Sequence, residues 1–447
     1  MKEDMFATQV LAEWAAGVDA VPPPVGESVR THVIDTLGAA VAGVGTINSA
    51  TIRAAAPAIW GRGTAAMWFT GQSTTVAGAA FANAAASCAL DLDDGHRQAA
   101  GHPGAAVVPG VLAAAAGSPW KDVLAAIAVG YEVGVRISAA RDLTSVPTTN
   151  TGIWGGQAVA AAVGTLRRLP PEQIAHAIAI AGITAPNQFA TSYTRFRANN
   201  VKEGIPWSAA NGILAATLAE SGFAGPIDIL DNDQIFDRDR ILTNLGEPWS
   251  IQTAYIKPYS CCRWLHAPID ALAELLAAEE IDPAQITGIH VETFGRTLTL
   301  SNEIAPTSIE GAQYSLPFCI GLAAVRGPDA LLVLSHGDLH IPQARDLATR
   351  VTWSIDPEFD AAFPAATPGR VTVQTERGAF MRTVTAPRGE PSNPLSRAAV
   401  EAKFRAVAQE RISEDTASQI LHAAVSAGNA DDILHLLGAE QPTAIRV

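Results

Sequence analysis

The apolar residues of this chain are mostly small. Alanine and glycine dominate them, whereas aromatic residues make up only 6% of the sequence. Because small side chains allow helices to approach closely, this choice of residues favours a fold made largely of tightly packed helices. A hydrophobic content of 48% is typical of a globular protein, and 447 residues are enough for two domains.

Serine and proline mark the expected helix starts in the first half. Ser118 and Pro119 predict an N-cap and a first helical turn, and apolar residues then recur on one helix face. Pro186 should end the helix that opens at Pro170-Pro171. Helices are therefore expected at residues 118–131, 170–185 and 211–219, with an extended segment at residues 64–71.

Strand patterns appear after about residue 255. Two short runs of strand-forming residues flank Glu376-Arg377-Gly378, which predicts a β-hairpin, and Ser396 is the expected N-cap of the last helical region. Strands are expected at residues 287–294, 351–354, 370–375 and 380–385. Helices are expected at residues 266–280, 310–325 and from 396 to 437.

The predicted fold class is mainly α with a smaller α+β domain. The helical patterns at both chain ends predict one all-helical domain, formed by residues 1–255 together with residues 396–447. Residues 256–395 are predicted to form an α+β domain inserted between them. No repeat of fixed period indicates a solenoid.

Charge and cysteine content narrow the expected partners and compartment. A formal net charge of −14 argues against nucleic acid as a partner. Met1-Lys2-Glu3-Asp4 lacks the basic start of a secretory signal, and no stretch indicates a membrane span, so we expect no membrane partner. The four cysteines have neither C-x-x-C nor zinc-site spacing, which fits a reducing cytoplasm.

Several signatures of common enzyme classes are missing from the sequence. It contains no G-x-x-x-x-G-K-[ST], no G-x-G-x-x-G after a strand, no G-x-S-x-G and no H-E-x-x-H. Nucleotide-binding, dinucleotide-binding, serine-hydrolase and zinc-protease functions therefore lose their usual support.

The densest polar cluster is Asp91-Leu92-Asp93-Asp94-Gly95-His96-Arg97, followed by Gly101-His102-Pro103-Gly104. It lies between two alanine-rich helical stretches, where charges are costly unless they are hydrogen-bonded or solvated. A histidine near a carboxylate can exchange a proton near neutral pH, and an arginine can bind a substrate carboxylate. A structural loop, in which Asp94 caps a helix and Arg97 neutralises charge, explains the same residues equally well.

The same segment begins like a calcium-binding loop. Gly95 occupies the fifth position, where an oxygen ligand is required, and His102 occupies the twelfth, where a bidentate glutamate is required. We therefore reject a calcium site and expect no metal in the functional site.

Two further segments place basic residues before helices. Lys202 is one of only five lysines in the chain, and Lys257, Arg263 and His266 share one segment ahead of a helix. A helix N-terminus favours anions, although a surface lysine and a linker between domains explain each segment alone. Combined with the cluster above, these cations suit a substrate with two or three carboxylates.

At these residues the sequence resembles the MmgE/PrpD family, over nearly the whole chain. The number of motifs in one order is specific for the family, although not for the reaction. The motifs lie at residues 33–38, 90–104, 130–134, 151–155, 201–207, 257–266 and 312–318.

The resemblance implies a homodimer in which the smaller α+β domain covers, as a lid, the cleft of the all-helical domain. Family members include 2-methylcitrate dehydratase, cis-aconitate decarboxylase and iminodisuccinate epimerase. They act on polycarboxylates, and the resemblance implies that no cofactor is needed. The shared chemistry is proton transfer at a carbon next to a carboxylate, or the equivalent loss of carbon dioxide.

The family motifs assign three site residues, Asp91, His102 and Lys202, and the other candidates follow from residue type and position. His102 is expected to be the general acid/base, with Asp91 orienting it or sharing its proton, and Lys202 is the third predicted catalytic residue. The predicted substrate-binding residues are Arg97, His96, Arg263, His266, Lys257 and Thr149. Of these, the arginines, with Lys202, are expected to hold carboxylates, and His266 is expected to be a second proton donor.

Three positions depart from the family pattern. Gly95 stands at a family threonine, Thr149 at a family histidine and Phe318 at a family tyrosine. The loss of an imidazole and a phenol disfavours cis-aconitate decarboxylation. The predicted function is a lyase, foremost a hydro-lyase, acting on a hydroxylated di- or tricarboxylate. An isomerase and a catalytically silent carboxylate-binding protein are the alternatives.

Overall fold

The computed structural model describes residues 5–143, 150–186 and 201–439, and helices dominate them. The expected mainly α fold with a smaller α+β part is confirmed. The elements of the first half are α1 (Ala7–Ala16), α2 (Pro23–Gly43), α3 (Ile47–Trp60), β1 (Ala65–Met67), β2 (Gln72–Thr74), α4 (Val76–Cys88), α5 (Pro103–Ala114), α6 (Trp120–Ala139), α7 (Gly152–Leu166), α8 (Pro171–Ile183), α9 (Ile205–Glu220) and α10 (Arg238–Leu242).

The second half adds a four-stranded sheet before the helices of the C-terminal region. Its elements are α11 (His266–Ala278), β3 (Ile286–Thr293), α12 (Ile309–Gln313), α13 (Leu316–Arg326), α14 (Pro342–Ala348), β4 (Val351–Ile355), α15 (Pro357–Ala362), β5 (Gly369–Thr375), β6 (Gly378–Val384), α16 (Arg397–Ala408), α17 (Glu414–Ser426) and α18 (Asp431–Gly438).

Glycines allow α7 to lie close to its neighbours at the centre of the helical region. A Cβ at Gly134 of α6 would lie 2.6 Å from the Cβ of Ala158, and one at Gly212 of α9 would lie 2.4 Å from the Cβ of Val159. Carbon atoms pack best at about 3.5–4.0 Å, so neither position accepts a larger residue without displacing α7. The small residues noticed in the sequence therefore set the helix spacing.

The two ends of the chain meet in the helical region. α16, near the C-terminus, packs against α2, near the N-terminus, with the ring of Phe404 3.5 Å from where a Cβ of Gly38 would lie. In the same interface, the Lys403 Nζ donates to Asp35 Oδ1 at 2.6 Å. The predicted N-cap at Ser396 is confirmed, because its hydroxyl accepts from the Ala399 amide.

The sheet has the strand order β4-β3-β5-β6, with β3 and β4 parallel and the other pairs antiparallel. β5 and β6 form the predicted hairpin, closed by Glu376-Arg377. The alternating pattern of β3 buries one face, and α11 packs against β5 and β6. The sheet therefore has one helix-covered face, as its alternation predicts.

One predicted helix is wrong in its extent. Residues 310–325 were expected to form one helix, but Tyr314 and Ser315 interrupt it between α12 and α13. The Ser315 hydroxyl caps the Phe318 amide, and Pro317 near the start of α13 has no amide hydrogen with which to continue the preceding helix. A new helix therefore begins at Leu316.

No single helix in the described ranges is both long and apolar enough to cross a membrane. α2 and α3 meet that length and composition only as a pair, and the chain bends by 94° between them.

Candidate active site

The reactive loop, defined as residues 89–102, connects α4 to α5 and is held at two points. The His96 amide donates to the Gly101 carbonyl at 2.8 Å, which closes the loop on itself. The amides and carbonyls of Gly95 and Tyr255 exchange two hydrogen bonds of 3.0 and 2.8 Å, which fix the loop to a distant segment. Asp91 takes a positive φ of 52°, a conformation that aspartate tolerates better than most residues.

Asp94 anchors the loop in the protein interior. Its Oδ2 accepts from His32 Nδ1 at 2.7 Å and from the Tyr131 hydroxyl at 2.5 Å, and its Oδ1 accepts from the Gly104 amide at 2.9 Å. Burial acts to raise the pKa of Asp94, but the hydrogen bond and charge of His32 outweigh it and lower that pKa. The helix-capping role considered for Asp94 is confirmed at the start of α5.

His102 stands at the end of this loop with one ring nitrogen fixed. Its Nδ1 lies 2.6 Å from the carbonyl oxygen of Asp94, which can only accept, so Nδ1 carries a proton. Its Nε2 lies 3.9 Å from both Asp91 Oδ1 and Glu203 Oε1. In the neutral ring Nε2 is therefore the basic atom, and it faces the carboxylates. The distance between Asp91 and His102, which the sequence left open, is thus 3.9 Å between these two atoms.

Three carboxylates surround the imidazole and set its charge. Burial acts to lower the pKa of His102, but the charges of Asp93, Glu203 and Asp91 outweigh burial and raise that pKa above its ordinary value. Because the side chain is 14% exposed, a small molecule can still reach it. The site therefore holds a histidine that takes up a proton readily.

Lys257 supplies a buried positive charge beside Asp91. Its Nζ lies 2.7 Å from Asp91 Oδ1, and its side chain is 0% exposed. Burial acts to lower the pKa of Lys257, but Asp91 and Asp93 outweigh it and raise that pKa, so the ammonium stays charged. Burial conversely favours neutral Asp91, yet Lys257, His102 and Lys202 lower the pKa of Asp91. The pair is thus ionised at neutral pH.

Asp93 is the least well hydrogen-bonded carboxyl group of the site. It is 1% exposed, and neither of its oxygens has a hydrogen-bond partner among the described residues. Burial raises the pKa of Asp93 to about 6, against the opposing charges of His102 and Lys257. Its Oδ2 lies 3.4 Å from His102 Nδ1. Asp93 therefore changes charge near neutral pH in contact with the reactive ring.

Lys202 and Glu203 enter the site from the turn before α9. Lys202 Nζ donates to the side-chain oxygen of Gln313, and it lies 5.7 Å from the centre of the Tyr314 ring. Glu203 Oε2 accepts from the Thr151 hydroxyl at 2.7 Å and from the Thr151 amide at 3.1 Å. Sequence reasoning selected Lys202 but not Glu203, although the two are adjacent.

The donor set also meets the spacing of a cation site. One ligand atom from each of Asp91, Asp93 and His102 lies within 4.8 Å of the others. The Lys257 ammonium already lies against Asp91, where it supplies the positive charge that a bound cation would bring. The arrangement is therefore suited to binding carboxylates through fixed ammonium groups.

Arg97 and Arg263 share one carboxylate, that of Glu390. Arg97 Nε lies 2.8 Å from Glu390 Oε2, and Arg263 Nη2 lies 2.6 Å from Oε1. Burial acts to raise the pKa of Glu390, but Arg263 and Arg97 outweigh it and lower that pKa. Two guanidinium charges against one carboxylate leave a net positive charge. The expectation that both arginines hold substrate carboxylates stays a prediction, and Glu390 was not anticipated.

The two remaining histidines of the prediction are buried and bonded to the protein. His266 lies 3.0 Å from Arg263 through Nδ1 and 3.2 Å from the Cys261 carbonyl through Nε2, and burial lowers its pKa well below the ordinary value. His96 Nε2 lies 2.9 Å from the Thr253 hydroxyl, and burial lowers the pKa of His96 to about 4. Both rings are neutral. Their roles towards substrate stay predictions.

The structure describes the surroundings of two of the three positions that depart from the family pattern. A Cβ at Gly95 would lie 2.2 Å from the Tyr255 hydroxyl oxygen, so the ring of Tyr255 fills the space of a side chain at residue 95. Phe318 is fully buried in α13. Thr149, predicted to bind substrate, lies outside the described residues.

Tyr255 is a third functional candidate, after Glu203 and Glu390, that the sequence did not reveal. The guanidinium carbon of Arg263 lies 4.8 Å from the centre of its ring, and that of Arg97 lies 5.9 Å away. Burial raises the pKa of Tyr255 above its ordinary value despite the two arginines, so the phenol keeps its proton. The ring thus contacts both arginines and Gly95 of the reactive loop.

Comparisons with known proteins match nearly the whole chain. The family model described as the MmgE/PrpD N-terminal domain matches residues 9–239, and the MmgE/PrpD C-terminal domain matches residues 259–427. A cis-aconitate decarboxylase of Aspergillus terreus (strain NIH 2624 / FGSC A1156) is 26% identical over 469 residues, covering 96% of this chain and 95% of that relative. The cis-aconitate decarboxylase of Homo sapiens is 25% identical over 365 residues, covering 77% and 75% respectively.

Proposed function

The chain belongs to the MmgE/PrpD family, and we propose that it is a lyase, foremost a hydro-lyase, acting on a hydroxylated di- or tricarboxylate. The observation that carries the proposal is the setting of His102. Its Nδ1 is fixed by the Asp94 carbonyl, while its Nε2 faces a group of carboxylates and ammonium groups. The names of the relatives, which are lyases of a tricarboxylic acid, support the same class of reaction.

In the proposed reaction His102 Nε2 removes the proton from a carbon next to a carboxylate. The electron pair moves into that carboxylate and forms an enediolate, which the ammonium groups of Lys257 and Lys202 stabilise. Such fixed charges act without reorganising during the reaction, and general-base catalysis by a placed histidine contributes about 10²–10⁴-fold.

The second half of the reaction expels the hydroxyl group from the neighbouring carbon. The protonated His102 returns its proton to the departing oxygen, so that water leaves and a carbon–carbon double bond forms. Asp91 holds the imidazolium through its charge, and Asp93 lies within 3.4 Å of Nδ1 as a further proton acceptor. The elimination of water conserves all atoms and requires no oxidant or reductant.

Loss of carbon dioxide is the second candidate, since the named relatives are cis-aconitate decarboxylases. The same ammonium groups would stabilise the carbanion that decarboxylation leaves. The absence of a phenol at Phe318 and of an imidazole at Thr149 favours dehydration, because the two family proton donors are missing. An isomerase would abstract the same proton but expel no leaving group. A catalytically silent binding protein would hold the carboxylates without any proton transfer.

We also propose the organisation expected from the sequence. One all-helical domain would comprise residues 1–255 and 396–447, with residues 256–395 as the inserted α+β domain, in a cytoplasmic homodimer. The contact between α16 and α2 supports a helical domain built from both ends. Sedimentation at the mass of a single 46.5 kDa chain would contradict the dimer.

Proton NMR in deuterated water tests the reaction directly. The purified protein is incubated with citrate, methylcitrate, aconitate, malate, iminodisuccinate and tartrate in separate samples. New alkene signals from a hydroxy acid are the expected result, and replacement of the aconitate signals by those of an unsaturated dicarboxylate would select decarboxylation. Deuterium at one carbon without an alkene would select an isomerase, and thermal stabilisation by an acid that stays unchanged would select a binding protein.

A matched pair of variants separates His102 from general effects. His102→Asn should lose at least about 100-fold in turnover, whereas His340→Asn, on the exposed surface, should keep it. Full turnover in His102→Asn would remove the assignment on which the proposal depends.

A further inference from the structure

A cavity of about 1110 Å³ lies beside the reactive loop and apart from the His102 cluster. Its walls include Arg97, Arg141 just after α6, and residues on both sides of Phe236. Arg97 also pairs with Glu390, so one residue of this cavity wall belongs to the candidate active site as well. The volume is sufficient for a small organic acid.

Arg141 is the unusual group in this cavity. It is 5% exposed, its Nη2 donates to the Ser138 hydroxyl at 2.8 Å, and its Nε has no hydrogen-bond partner among the residues that the structure describes. No carboxylate in residues 5–143, 150–186 or 201–439 forms an ion pair with it. Burial alone lowers the pKa of Arg141 to about 10, so the guanidinium remains charged at neutral pH.

The other arginines that line the cavity are paired. Arg238 Nε lies 2.9 Å from Asp231, Arg240 Nε lies 3.3 Å from Asp237, and Arg97 is held by Glu390. Arg141 therefore differs from its neighbours in having a buried charge without a counter-charge. A buried charge of this kind is costly unless an opposite charge joins it.

We infer that Arg141 anchors a second anion-binding site, which takes a small oxyanion such as a carboxylate or a phosphate in the cavity. The planar guanidinium can offer two parallel donors to such a group. Ser138 connects the site to the reactive loop, since its hydroxyl donates to the Ala99 carbonyl at 2.7 Å. The inference does not depend on the proposed reaction, because Arg141 has no part in it.

Isothermal titration calorimetry of the full-length protein tests the site. Tricarballylate, which has three carboxylates and no hydroxyl group to eliminate, is titrated against the wild type, Arg141→Met and Lys202→Ala. We expect two sites per chain in the wild type, with one lost from each variant. Inorganic phosphate is titrated in parallel, and the tighter of the two ligands at the Arg141-dependent site identifies the kind of oxyanion.

Two control variants separate anion binding from a structural role. Arg240→Met, at a paired and exposed arginine of the same cavity, should bind both anions within about twofold of the wild type. Arg141→Lys keeps the charge but loses the planar fork, so its binding should fall between the wild type and Arg141→Met. Arg141→Met itself should weaken the second site tenfold or more.

The melting temperature without ligand completes the test. Because Arg141→Met removes an unpaired buried charge, its ligand-free melting temperature should equal or exceed that of the wild type. A lower melting temperature together with unchanged titrations would overturn the inference and make Arg141 structural. A single wild-type site that Arg141→Met loses and Lys202→Ala retains would support the inference while contradicting the proposed active site.

Discussion

Replacement of Lys403 by methionine should destabilise the fold strongly, although Lys403 touches no atom of His102. Its Nζ donates to Asp35 Oδ1 at 2.6 Å and to the Leu92 carbonyl of the reactive loop at 3.0 Å. The two side chains of the ion pair are 6% and 0% exposed. One residue of α16 thus holds both α2 and the reactive loop.

The size of the effect follows from what Lys403→Met leaves behind. Asp35 Oδ2 already has no hydrogen-bond partner in the described part of the chain, so the variant leaves the whole carboxylate buried without a hydrogen bond there. Breaking a buried ion pair at one partner costs about 3–5 kcal/mol in the free energy of unfolding. The double variant Asp35→Asn/Lys403→Met has no buried charge at either position. Its free energy of unfolding should therefore be at least about 2 kcal/mol higher than that of Lys403→Met.

The loss should also depend on pH. Burial, which outweighs the attraction of Lys403, already raises the pKa of Asp35 above its ordinary value. Without Lys403 this pKa rises further, so the folded variant binds a proton that the unfolded chain does not. Its stability therefore increases as the pH falls through the folded-state pKa of Asp35, and the difference from the wild type shrinks at acid pH.

Urea denaturation, followed by circular dichroism at several pH values, measures these differences. Arg405→Met is the control. Arg405 lies on α16, like Lys403, and its exposed pair with Glu414 of α17 should contribute at most about 1 kcal/mol. The reasoning would be refuted if Lys403→Met cost no more than that control, or if the double variant were no more stable than the single one.

Three further changes test the candidate active site. Gly95→Ala places a Cβ 2.2 Å from the Tyr255 hydroxyl oxygen and should cost about 1–3 kcal/mol by urea denaturation, whereas the same change made in a Tyr255→Ala protein should cost little. Asp93→Asn should be more stable than the wild type at pH 8, by up to roughly 3 kcal/mol. The pKa of Asp93 is raised to about 6 in the folded protein, so the wild type loses stability as the pH rises from about 4 to 6. Asp93→Asn has no such carboxyl group, and an equal pH slope of the melting temperature in both proteins would contradict this reasoning. Glu203→Gln should lower the pH at which His102 loses its proton, as measured by NMR of the ring, because one of the charges that raise its pKa is gone; an unchanged titration would contradict the 3.9 Å contact.

Local patterns in the sequence were sufficient for most of the fold. The hairpin around Glu376-Arg377, the cap at Ser396 and the strand at residues 286–293 each depend on residues close in sequence, and the structure confirms them. The break at Ser315 was missed because a capping serine followed by Leu316 and Pro317 also fits the interior of an apolar stretch. The boundary is set by the hydrogen bond from the Phe318 amide to the Ser315 hydroxyl and by the missing amide hydrogen of Pro317.

The sequence predicted residues of the candidate site only where they lie within recognisable motifs. Asp91, His102, Lys202 and Lys257 carry charges within recognisable segments, and the structure brings them together. Glu390 is separated from Arg97 by 293 positions, so no local pattern could indicate that pair. Tyr255 was overlooked for the same reason, since its contact with Gly95 is made across two segments that are far apart in sequence.

The contact between Gly95 and Tyr255 restricts the order in which mutations can accumulate. A side chain at residue 95 and the Tyr255 ring in its present position require the same space, so one is accommodated only if the other moves. A larger residue at position 95 is therefore favoured only after the ring at residue 255 has moved or been lost. Homologues should carry either a small residue at 95 with a ring at 255, or a larger residue at 95 with a small one at 255.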